Sequence, residues 1–149
     1  MTRPSSADDL LHGKFDPATF LALTSEHGHH GLLKLGYEGH GEDWVEISLP
    51  WREDLVGVPE SGLLATGAIV SLVDMAAGMA VWIKAGKFRP TVTLDLRIDY
   101  MRSAKMGETV FAWCRCVKFG RSVAFVEGIA HVGDRADPIA RAALTFMPT

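Results

Sequence analysis

The sequence predicts an α+β domain in which an antiparallel sheet curls around one long central helix. Three observations lead there. Residues 66–85 are apolar nearly all round, as a helix buried on most sides must be. Directly after them the hydrophobic period changes from 3.6 to 2, and residues 91–100 alternate strictly. Strand-like segments then follow one another through short connections, so they pair antiparallel; a doubly wound parallel sheet would need a helix after each strand.

The elements are justified in chain order. Residues 1–14 are expected to form a flexible lead-in, and residues 15–149 a single domain, because 149 residues are too few for two well-cored ones. Asp16-Pro17 starts a short helix, with Asp as cap and Pro in the first helical position, and that helix stops by Gly28. Residues 31–37 and 44–50 read as strands joined by the polar turn 38–43, and a turn-rich loop spans 51–62. After the central helix, Val92, Leu94, Leu96, Ile98 and Tyr100 share one face of a strand, and Thr91, Thr93, Asp95, Arg97 and Asp99 the other. Further strands are expected at 109–119, 122–132 and 138–147, joined by hairpin connections.

Composition narrows the class. A hydrophobic share of 48% with 22% charged residues is that of a soluble globular chain. Fifteen basic against 18 acidic residues leave a net charge of -3, without the basic footprint of a nucleic-acid binder. The first residues are polar, with no apolar leader core. The longest apolar stretch, 67–83, is broken by Ser71 and Asp74 and falls short of the about 20 residues that span a bilayer. Cys114 and Cys116 are expected to be reduced thiols. A cytoplasmic protein with no membrane span and no nucleic-acid partner is expected.

The chemistry concentrates on the central helix. Gly67, Ser71, Asp74 and Gly78 fall at spacings of four, three and four, so one small, polar stripe runs along a greasy cylinder. A carboxylate there costs several kcal/mol unless it is bonded, paired or functional. At the helix start the first backbone amides lack intrahelical partners and carry the positive end of the dipole, and Gly67 lets a substrate oxygen approach them. Gly67 and Asp74 lie about 10 Å apart along the axis, far for one reacting carbon unless two chains share a site. The stretch His27-Gly28-His29-His30 has no carboxylate or Cys at ligand spacing and reads as a polar helix-to-strand turn, so no metal site is expected. No phosphate-loop pattern and no Gly-x-Ser-x-Gly elbow occur.

The run from Gly62 to Asp74 resembles the signature of the hotdog-fold acyl-CoA thioesterases of the PaaI-like (phenylacetate-pathway) family, His-Gly-Gly followed on the helix by Leu-x-Asp. The segments Thr93-Leu94-Asp95-Leu96-Arg97-Ile98-Asp99-Tyr100-Met101-Arg102 and Gly120-Arg121-Ser122 are similar to that family's strand and turn, in the same order. The resemblance implies a hotdog fold, a homodimer or dimer of dimers with sites at the subunit interface, and hydrolysis of an acyl-CoA thioester. CoA is then part of the substrate, and no metal or organic cofactor is involved. It implies Asp74 as general base or nucleophile, the Gly67 N–H as oxyanion donor and Thr93 as a helper that orients water or substrate. Ser61, Gly62, Ala65, Thr66 and Ser71 become substrate-contacting positions, and the turns Arg102-Ser103 and Gly120-Arg121-Ser122 border the CoA channel. Ala65 stands where that family has its His, Thr66 where it has the first Gly, and Pro59 where an Asn is usual. Those replacements support an alternative, a hotdog protein that binds an acyl-CoA or other apolar ligand without turning it over.

Overall fold

The computed structural model describes residues 7–149. Its centre is α4, Thr66–Ala85, the helix expected at 66–85. It ends where Gly86 turns left-handed at φ 76°, a backbone that favours glycine. A six-stranded antiparallel sheet, in the order β1-β2-β6-β7-β8-β5, wraps it. Its strands are β1 (Gly36–His40), β2 (Trp44–Leu49), β5 (Thr91–Tyr100), β6 (Val110–Phe119), β7 (Ala124–His131) and β8 (Ala140–Pro148). Two short strands, β3 (Val56–Val58) and β4 (Leu63–Leu64), pair inside the loop before the helix. This is the hotdog arrangement.

The core follows from the patterns in the sequence. Val45, Ile47 and Leu49 of β2 alternate inward and are fully buried against α4, each contributing about 1.5–3 kcal/mol. Val110, Ala112 and Cys114 of β6 continue that face, where Leu72, Val73, Ala76 and Met79 of α4 meet them. Cys114 and Cys116 are both free and buried. At the far end of α4 the Trp82 ring packs against Phe15, Phe20 and Phe88, with centroids 5.3, 5.2 and 4.8 Å away. By length and composition α4 is apolar enough to cross a membrane, but 67% of that window is buried inside the fold.

The structure departs from the sequence reading in three places. Within the expected lead-in 1–14, residues Ala7–His12 form helix α1 and bury Leu10; residues 1–6 lie outside the described residues. Helix α2, Pro17–Thr24, begins as expected, with the Asp16 carboxylate accepting from the Thr19 amide at 3.0 Å. The strand expected at 31–37, however, is replaced in its first half by helix α3, Gly28–Leu33, and only Gly36 onward is strand. Arg52 explains this, because its guanidinium donates to the Leu32 and Leu33 carbonyls at 2.8 and 3.0 Å and so satisfies the end of a helix too short to hold alone. Third, β5 does not alternate strictly. A bulge at Leu94, between Thr93 and Asp95, reverses its faces. Val92 and Leu94 are therefore 50% and 51% exposed, while Thr93 turns toward α4 with Leu96 and Ile98 beyond it.

Candidate active site

The start of α4 opens onto a cavity of about 660 Å³, lined by Val58, Leu63, Leu64, Ile69, Met101 and Ile139 among others. Ala65 occupies the cap position and offers no side-chain acceptor. Its carbonyl takes the Ala68 amide at 3.1 Å, and the Thr66 and Gly67 amides find no acceptor among the described residues. A Cβ built on Gly67 would meet nothing within 4 Å, so the glycine leaves backbone bare toward the cavity. Two N–H groups at the positive end of a long helix, beside an apolar cavity, form a ready site for a polarised carbonyl oxygen. Tyr100 closes one side, its hydroxyl donating to the Thr66 carbonyl at 3.4 Å, and burial pushes its phenol above the ordinary value.

Further along α4 is a second polar locus. Thr93 Oγ1 donates to Asp74 Oδ1 at 2.9 Å, and the bulge at Leu94 is what turns Thr93 to this face. The other carboxylate oxygen has no protein partner among the described residues. Ser71, one turn earlier on the same stripe, lies 2.8 Å from His29 Nε2 of α3. Gly78, the last member of the stripe, lets the Phe146 ring of β8 approach.

The expected site residues thus fall into two groups at opposite ends of β5. Ser61, Ala65, Thr66, Gly67, Arg102 and Ser103 all line the cavity, at the Tyr100 end. Gly62 lies beside them; its φ of 64° suits a glycine, and its carbonyl accepts from Trp51 Nε1 at 2.8 Å. Ser61 is held by its own turn, donating to the Val58 carbonyl at 2.8 Å and accepting from the Leu63 amide at 3.2 Å. Arg102 is anchored to the Asp137 carboxylate at 3.1 Å. Asp74, Thr93 and Ser71 make the second group. Gly120, Arg121 and Ser122 form an exposed turn outside the cavity lining. The strand register puts them at the Thr93 end, because Thr93 pairs with Phe146, Phe146 with Ala124, and Ala124 with Phe119. Thr93 and Tyr100 are separated by about 23 Å of strand. Along α4 itself Gly67 and Asp74 are about 10 Å apart, so within one chain the bare amides and the carboxylate form two separate loci.

His29 and His30, seen in the sequence only as a polar turn, belong to the carboxylate end. No local signal could have placed them, since His29 and Ser71 are 42 residues apart. No group of three or more His, Cys, Asp or Glu side chains among the described residues could hold a metal ion.

Residues 61–139, just over half of the chain, match the family model described as the thioesterase superfamily. A candidate esterase of Pseudomonas aeruginosa is 32% identical over 79 residues, which are 53% of this chain and 55% of that protein. The match thus spans about half the length of the curated relative. A second Pseudomonas aeruginosa protein, of known structure, is 32% identical, with a TM-score of 0.77 across 89% of this chain and 96% of that one. A Streptococcus mutans protein solved with acetyl-CoA bound shares the fold, with a TM-score of 0.68 at 23% identity, over 77% of this chain and 88% of that one.

Proposed function

The chain belongs to the thioesterase superfamily, and from that premise we propose that it hydrolyses acyl-CoA thioesters to the free acid and CoA. The observation that carries the proposal is the Asp74–Thr93 pair, a carboxylate on a mostly apolar helix with one oxygen fixed by a hydroxyl at 2.9 Å and the other without a partner among the described residues. In the proposed reaction the thioester carbonyl rests against the Gly67 N–H. Asp74 takes a proton from water as its oxygen attacks the carbonyl carbon, and the carbon–sulfur bond breaks to release the CoA thiolate. Thr93 holds the carboxylate in register. The bare amides and the carboxylate stand at opposite ends of β5, so the proposal includes a homodimer, alone or paired into a tetramer, in which Gly67 of one chain meets Asp74 of the other. The apolar lining suits an acyl or aryl group, and the shared fold of the acetyl-CoA-bound Streptococcus mutans protein supports CoA as the carrier. The chemistry calls for no metal or organic cofactor.

A panel of acyl- and aryl-CoA esters, assayed by free-thiol release with wild type and Asp74→Asn side by side, tests this. A loss of about 10²–10⁴-fold in Asp74→Asn is expected; equal rates would remove Asp74 from the mechanism. A second reading, acyl-CoA binding without turnover, is favoured by one observation: Ala65 at the cap of α4 puts a methyl group, with no polar atom, at the cavity. Saturable binding by calorimetry with no thiol release on any ester would select it.

A further inference from the structure

α3 meets the polar stripe of α4 through one pair of side chains. Ser71 Oγ and His29 Nε2 stand 2.8 Å apart, within hydrogen-bond reach across 42 residues of sequence. Ser71 is half-buried and His29 exposed, and Gly67, one turn earlier on the same face of α4, is exposed as well. The imidazole is held from its own helix. Arg52 anchors the end of α3 on the Leu32 and Leu33 carbonyls, and the His30 ring meets the His29 ring edge to face with centroids 5.6 Å apart. The Gly67 amide, which finds no acceptor among the described residues, lies four positions before Ser71, about 6 Å along the helix axis. The Cα–Cβ bond of Ser71 tilts back toward it. A hydroxyl, an imidazole on that hydroxyl and a bare amide one turn away therefore belong to a single chain.

We propose that Ser71 and His29 form a nucleophile–base pair that gives the protein a second activity, the hydrolysis of oxygen esters through an acyl-serine, separate from the chemistry assigned to Asp74. With the imidazole neutral and its proton on Nδ1, the Ser71 hydroxyl donates to Nε2. Oγ attacks the ester carbonyl carbon as its proton passes to Nε2, and the oxygen of the tetrahedral intermediate turns to the Gly67 N–H. The imidazolium gives that proton to the leaving alcohol oxygen as the carbon–oxygen bond breaks. Water then repeats both steps on the acyl-serine, which releases the acid and restores Ser71. The leaving group is the reason for assigning oxygen esters. Thiols ionise at about pH 8.5, so a thiolate departs without a proton. An alkoxide is far more basic and departs with the proton that His29 has taken.

Treatment of the full chain with diisopropyl fluorophosphate tests the pair directly. The Oγ–phosphorus bond forms, fluoride leaves and the proton goes to His29, and the adduct is permanent. Peptide mapping by mass spectrometry is expected to find the adduct on Ser71 and to find none at that position in Ser71→Ala. His29→Gln keeps a group that accepts the serine's hydrogen bond but cannot hold its proton, so labelling there should slow by about 10²-fold. No adduct on Ser71, or labelling of His29→Gln at the wild-type rate, would show that the pair only ties α3 to α4 and would overturn the proposal. Acid release from ethyl butyrate, an unactivated oxygen ester, is followed at constant pH. Wild type is expected to release acid and Ser71→Ala to do so about tenfold more slowly or worse; no release, or equal rates, would overturn the ester activity. Thiol release from acyl-CoA esters is read separately, so its absence would end the reading built on Asp74 and leave labelling and acid release to decide Ser71.

Discussion

The two ends of the α4–β5 pair are built on opposite principles. At the Tyr100 end the lining is apolar, the cavity is open, and the Thr66 and Gly67 amides find no acceptor among the described residues. At the Thr93 end the groups are polar and tied to one another: Asp74 to Thr93, and Ser71 to His29. The first end sets bare amides beside an apolar cavity; the second holds the carboxylate that the proposed reaction uses as its base. A carboxylate placed beside that apolar lining in the folded monomer would pay a desolvation cost with no substrate present. Keeping the halves apart in each chain avoids that cost, and in the proposed dimer the complete site exists only where two chains meet.

The largest effect that would break this contrast is the loss of hydrolysis in Asp74→Asn. Gly67→Ala comes next and separates fold from function. The added Cβ meets nothing within 4 Å inside the chain, and alanine is the better helix former by about 1 kcal/mol, so the melting temperature should hold or rise. The methyl group nonetheless sits where the carbonyl oxygen must approach, and a fall in kcat/KM of about tenfold to a hundredfold is expected. Mixing the two variants sharpens the comparison further. If each site takes Gly67 from one chain and Asp74 from the other, unfolding and reassembling equal amounts restores about a quarter of wild-type activity through mixed dimers. No recovery would place both groups of a site in one chain. Thr93→Val, which keeps shape and removes one hydrogen bond to the carboxylate, is expected to cost about tenfold in kcat.

Much of the scaffold could be read in the sequence, because its signals are local. The bounds of α4 and β5 follow from a change of period within one stretch, and the cap at Asp16 from two adjacent residues. The stripe carrying Asp74 is likewise a matter of spacing on one helix. What could not be read was non-local. α3 contains two glycines and holds its form through Arg52, which lies about twenty residues further on. The bulge at Leu94 depends on register with β8, and an alternating sequence gives no sign of it. That single extra residue turns Thr93 toward Asp74, whereas strict alternation sets it opposite the apolar face. The resemblance implied Thr93 as a helper that orients water or substrate; in the fold its hydroxyl lies on the Asp74 carboxylate, on the face that strict alternation denies it.

The smallest expected effect falls at neither end and serves as the control on both. Glu46 of β2 accepts from His131 Nε2 at 2.8 Å and from Arg135 Nε at 2.9 Å. The Arg135 guanidinium also lies over the Trp44 and Trp113 rings, 5.4 and 5.7 Å from their centroids. His131 Nδ1 accepts the Gly133 amide at 3.1 Å, so its proton sits on Nε2 and points at the carboxylate. Burial works against the Glu46 charge, but the hydrogen bonds from Arg135 and His131 outweigh it and hold its carboxyl below the ordinary value. A carboxyl depressed on folding adds stability above its unfolded pKa, and that contribution is lost as pH falls through the folded one. Glu46→Gln should therefore lower stability at pH 7 by about 1–2 kcal/mol. In thermal melts the gap between variant and wild type should close in acid only as pH falls below the ordinary carboxyl range and through the lowered Glu46 value. Thiol release at pH 7, measured well below the melting temperature, should be unchanged, since this cluster touches neither the cavity nor Asp74. A gap that persists in acid would show that packing of the Trp44–Arg135–Trp113 stack, and not the carboxylate charge, is what Glu46 supports.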